Sequence, residues 1–65
     1  MMTTKYRSTR RAAGWSITKA AAMADVSPGL ARIFEIDPDE VQDVRKRLAL
    51  MRVYEGLRVQ LARSA

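Results

Sequence analysis

The chain has to hold 65 residues together with no cysteine and no histidine. A chain this short buries only about 60% of the surface its unfolded form exposes. Small folds usually add a disulfide, a metal or a partner to make up the difference. Without a thiol there is neither a disulfide framework nor a thiolate metal site. Without an imidazole the commonest zinc ligand and the commonest general base are missing too. What remains is helix packing, either within the chain or against a second copy. The same inventory argues against catalysis. No metal constellation, no nucleophile beside a base and no phosphate-cradling glycine loop can be assembled, so the reading is of a non-enzyme with no cofactor and no metal. No apolar run approaches the ~20 residues of a membrane span, and no continuous apolar stretch marks a signal peptide. A cytoplasmic protein with no membrane partner is expected.

Helix-start and helix-stop signals divide the chain into an all-α pattern. A basic segment over 4–13 has Tyr6, Thr9 and Ala13 on one face, and Met1 to Thr3 read as a frayed start. Gly14 suits a left-handed helix end. Ser16 is a good N-cap for a second helix over 17–24, where Ala20, Ala21, Met23 and Ala24 are small or apolar and the run Ala20 to Ala22 lets another helix come close. Asp25 and Val26 form a tight connection. Ser27 caps a third helix over 28–35 with Pro28 at its first position, where the missing N–H has no intrahelical role; Leu30, Ala31 and Phe34 point inward. Asp37-Pro38-Asp39-Glu40 repeats the start signal, and the pattern stays helical over 38–62 with an apolar stripe of Val41, Val44, Leu48, Met51, Tyr54, Leu57 and Leu61. A helix of ~25 residues spans nearly 40 Å, against the ~26 Å expected of so small a domain. Either its far half packs on something else or it breaks near Gly56. The expected architecture is one domain: a helix-turn-helix core over 1–37 followed by a long C-terminal helix.

Charge is distributed in blocks. Residues 1–19 carry five basic side chains and no acid, residues 20–40 one basic against five acidic, and residues 41–65 six basic against two acidic, for a net +5. Basic blocks around an acidic one suit a polyanion such as nucleic acid. A solvated surface with ordinary arginine usage has the same composition.

Two short helices joined by a tight turn, behind a basic helix, give the helix-turn-helix outline. In detail, Arg10-Arg11-Ala12-Ala13-Gly14-Trp15-Ser16, then Ala20-Ala21, Val26-Ser27 and Phe34-Glu35 resemble the Cro/repressor-type (XRE) helix-turn-helix family over Tyr6 to about Val44. The resemblance implies a small transcriptional regulator, repressor-like, that binds double-stranded DNA. It implies that Ala21 lets helices two and three cross, and that Arg10 and Glu35 form an ion pair between helix one and the end of helix three. Without that pair, Arg10 is a surface cation near phosphate. Helix three becomes the recognition helix, with Ser27, Gly29 and Arg32 facing the major groove. Arg32 is its only long donor and matches guanine edges; its other use is a salt bridge to Glu35 or Asp39. Lys19, Arg7 and Arg11 are candidates for phosphate contact.

Departures from the family pattern open a second reading. Ile17 stands where Gln is frequent, Pro28, Gly29 and Ile33 where polar readers are usual, Ile36 where a polar residue is common, and Asp25 where Gly is usual. Ile17, Pro28, Ile33 and Ile36 therefore form a possible protein-binding face, suited to an antiactivator or adaptor that docks on another transcription regulator. Leu50, Tyr54, Leu57 and Leu61 step by 4, 3 and 4, a short coiled-coil-like seam expected to join a homodimer, or else to pack on helices one and two. Trp15 reads as a plug between helices one and two, and Tyr6 and Tyr54 as core or interface residues with wet hydroxyls.

Overall fold

The computed structural model describes residues 5–64 and is all-helical there: α1 (Lys5–Ala12), α2 (Ile17–Ala24), α3 (Pro28–Ile36), a 3-10 turn (Pro38–Glu40) and α4 (Val44–Ser64). Met1 to Thr4, and with them the expected frayed start and first helical residue, lie outside the described residues. α1 stops where glycine was expected to stop it. Gly14 has φ +72°, its N–H reaches the Arg11 carbonyl, and the Trp15 N–H reaches that of Arg10.

The next two helices start on serine. The Ser16 hydroxyl accepts from the Lys19 N–H at 3.0 Å, and that of Ser27 from the Leu30 N–H at 3.2 Å with Pro28 following. Each bond satisfies one of the orphan donors at a helix start, worth about 1 kcal/mol. Between them Asp25 sits in the left-handed region at φ 57°, ψ 46°, and the Asp25 and Val26 N–H groups close the end of α2 on Ala22 and Ala21. Aspartate is one of the few residues besides glycine that enters that conformation.

The expected helix over 38–62 begins six residues later, at Val44. Asp37 does cap, accepting from the Asp39 N–H at 3.1 Å, but it starts only a single 3-10 turn. That turn ends at Val41, which is extended at φ −81°, ψ 97° and completely buried. Asp43 then restarts the chain as a helix: its carboxylate accepts from the Arg45 and Lys46 N–H groups at 3.0 and 3.2 Å. α4 is continuous through Gly56 for 21 residues, about 31 Å at 1.5 Å per residue, and so fits within the molecule's longest dimension of 34 Å.

Around the core, α2 lies against both α3 and α4, and α1 packs on α4 and α3. Ala20, Ala21 and Ala24 on α2 and Ala31 on α3 are buried, and their size allows close approach. An aromatic cluster fills the centre: Tyr6–Phe34 at 4.8 Å, Tyr6–Tyr54 at 5.4 Å and Phe34–Tyr54 at 5.5 Å between ring centroids. Such ring pairs add about 0.5–1.5 kcal/mol beyond their burial. Leu50, Tyr54 and Leu57 complete the core from α4. Two members of the expected α4 stripe lie elsewhere, since Val44 and Leu48 are about half exposed on another side of the helix.

Candidate functional site

Three side chains from three helices lock the position of α3. The Arg10 Nε donates to Glu35 Oε2 at 2.6 Å and Nη2 donates to Oε1 at 3.2 Å, the two-pronged geometry that suits a guanidinium on a carboxylate. The remaining Nη1 donates to the Trp15 carbonyl at 2.9 Å. From α4 the Tyr54 hydroxyl donates to Glu35 Oε2. The pair is nearly dry, with side-chain exposures of 12% for Arg10 and 5% for Glu35. The hydrogen bond to Glu35 raises the Arg10 pKa above its ordinary value, against the opposing pull of burial. Burial, reinforced by the bond to Glu35, pushes the Tyr54 phenol well above its usual range. The Arg10–Glu35 pair is thus as the resemblance implied. Tyr54 as its third member was not foreseen: its hydroxyl is buried against a carboxylate and not wet. A tyrosine within an apolar stripe carries no signal of which acceptor it will meet.

With its inner side locked, α3 turns Pro28, Gly29, Arg32, Ile33 and Ile36 outward, all exposed. At 100° per residue these five positions fall on a single arc of about 140°. Ile33 keeps 44% and Ile36 41% of their surface in solvent. Ser27, at the N-terminal end of this arc, is exposed with its oxygen engaged as the cap. Arg32 makes no ion pair among the described residues, so neither Glu35 nor Asp39 holds it. An open cleft of about 280 Å³ joins this face to the start of α2 and to α1, lined by Arg7, Arg10, Ile17, Arg32, Glu35 and Ile36. Since Arg10 is held by Glu35, Arg7 and Arg32 supply the uncommitted charge and Ile17 and Ile36 the apolar walls.

Several expected site residues are not gathered there. Pro28 and Ile33 share the exposed side of α3 but do not line the cleft. Arg11 is exposed at the end of α1. Lys19 lies with its Nζ 4.4 Å from the Trp15 ring centroid, a cation–π contact over a half-buried indole packed on the core. The expected dimer seam is corrected. Leu50, Tyr54 and Leu57 are at most 3% exposed inside this chain's own core. So thin a core takes the α4 face turned towards α1 and α2, and leaves those side chains unavailable to a second copy. Leu61 is half-buried at the edge of a groove with Trp15 and Leu57.

Among the described residues no cluster of acids could hold a metal ion, and no helix is long and apolar enough to cross a membrane. The chain matches no known protein family, no curated protein and no solved structure.

Proposed function

We propose that the chain is a small transcriptional regulator of the helix-turn-helix type, a cytoplasmic non-enzyme that lays the outer face of α3 in the major groove of double-stranded DNA. The observation that carries this reading is the contrast around Arg32: the helix beneath it is pinned by Arg10, Glu35 and Tyr54, while Arg32 itself is exposed and makes no ion pair among the described residues. A recognition helix needs that combination, because base edges are read only by side chains held in register. Arg32 donates to guanine in this scheme, and Arg7, Arg11 and Lys19 meet phosphates. Ser27 and Gly29 lie at the end of α3 that enters the groove. The net charge of +5 and the resemblance to Cro/repressor-type domains support the same partner. Two copies read half-sites about one DNA turn apart, and they meet through surfaces other than the buried Leu50–Leu57 side of α4.

One observation favours a second reading, in which the same fold is an antiactivator or adaptor docking on another regulator: Ile33 and Ile36 are exposed beside the half-buried Ile17. The test is a mobility shift on duplex DNA from the protein's own promoter at about 50 and 200 mM salt. Three or four phosphate contacts weaken affinity roughly 50- to 150-fold over that range. Arg32→Ala is expected to reduce discrimination between promoter and unrelated duplex. No shift at the lower salt would refute the DNA reading and leave the adaptor.

A further inference from the structure

Resting on the DNA reading, the chemistry of the exposed α3 arc restricts which bases it can recognise. Arg32 is the only hydrogen-bonding side chain among Pro28, Gly29, Arg32, Ile33 and Ile36. Adenine is read by the paired donor and acceptor of Asn or Gln, and cytosine by an acidic acceptor for its amino group. Neither residue type occurs on this arc. Two partners remain in the major groove: the acceptor edge of guanine, which a guanidinium meets with two bonds, and the 5-methyl group of thymine, which apolar side chains contact. Ile33 and Ile36 offer branched methyl surfaces, and no described element of this chain covers them fully.

The spacing fits one compact site. Ile36 stands one turn beyond Arg32, with Cβ atoms about 6 Å apart as for any such helical pair. Base pairs rise about 3.4 Å, so the two side chains reach positions one or two steps apart. Gly29 helps, because a Cβ built there would meet nothing within 4 Å: the helix surface at that point is flat and open, and backbone can come close to a groove floor. We propose that α3 reads guanine together with neighbouring pyrimidine methyl groups, Arg32 taking the guanine edge and Ile33 and Ile36 the methyls of thymines within two base pairs of it. On this account the isoleucines are specificity residues for DNA, not a dock for another protein.

The test uses the full chain and duplexes selected by it from a random library, with each thymine of the selected site then replaced by deoxyuridine. Only the methyl group is lost, and the phosphates are unchanged. Affinity is expected to fall roughly fourfold for each contacted methyl, the effect of withdrawing one such group from an apolar contact, with no change in salt dependence. Ile33→Ala and Ile36→Ala, both at exposed positions, should each reduce the thymine-over-deoxyuridine ratio, and Arg32→Ala should abolish the guanine preference but not that ratio. Equal binding of thymine and deoxyuridine duplexes by the unaltered protein overturns the methyl reading while the DNA reading stands. Failure to retain any duplex at low salt overturns both.

Discussion

On its inner side α3 presents Ala31, Phe34 and Glu35, all buried: Phe34 stacks with Tyr54 and meets Tyr6 at a tilt, and Glu35 takes donors from Arg10 and Tyr54. On its outer side, one residue away in sequence, Arg32, Ile33 and Ile36 have charge without a counterion among the described residues and apolar surface without full cover. One nine-residue helix thus divides two tasks between two faces. The lesson is that substitutions here should sort by angle around the helix and not by residue chemistry: a charge matters to folding on one side, an isoleucine to binding on the other.

The sharpest way to break that contrast is Glu35→Ala. It strands the nearly dry Arg10 guanidinium and the buried Tyr54 hydroxyl together. Removing one partner of a buried pair costs about 3–5 kcal/mol. A 65-residue chain at the usual ~0.05–0.15 kcal/mol per residue has only about 3–10 kcal/mol in all. Urea titration should find the variant largely unfolded or with its midpoint halved. A loss under about 1 kcal/mol would mean that the inner face does not depend on the pair.

Tyr54→Phe probes the same face more gently, with an expected loss of about 1.5–3 kcal/mol for a hydrogen bond to a charged acceptor. It also has a pH signature. The folded protein holds the Tyr54 proton above the ordinary tyrosine value, chiefly because the ring is buried. The unfolded chain releases it near pH 10. That contribution is therefore complete below about pH 10 and is lost as the pH rises further. Denaturation midpoints measured from about pH 9 to pH 11.5 should fall more steeply for the unaltered chain than for Tyr54→Phe, so the gap between them narrows; parallel curves would contradict the assigned environment. The smallest effect belongs to the outer face. Ile33→Ala should leave the urea midpoint within about 0.5 kcal/mol of the parent, as exposed substitutions do, and a larger loss would place Ile33 in the core.

Much of this division was legible in the sequence. Ser16, Ser27 and Pro28 placed the starts of α2 and α3 correctly because capping is local chemistry, decided by atoms within four residues. Arg10 with Glu35 followed from resemblance, and the inward set Leu30, Ala31 and Phe34 from helical spacing. The last helix was harder. Asp37-Pro38 is a genuine start signal, yet it yields a single turn because Val41 is drawn into the core, and Asp43, an equally good cap, takes over. Two apolar stripes run along α4. Which one turns inward depends on where α1 and α2 lie, and periodicity does not contain that: Leu50, Tyr54 and Leu57 went inside, while Val44 and Leu48 stayed out. The cleft that unites Arg7, Ile17, Arg32 and Ile36 joins three helices and had no signature along the chain.

The grip of Arg10 and Tyr54 on Glu35 also bears on the thermodynamics of any encounter at α3. A helix anchored on its far side by a salt bridge, a phenol and a cluster of three aromatic rings meets any target already ordered, so association there immobilises little beyond the side chains of Arg32, Ile33 and Ile36. Calorimetry of such an encounter should record the heat-capacity change of a small rigid contact, far from the signature of a segment that folds as it binds.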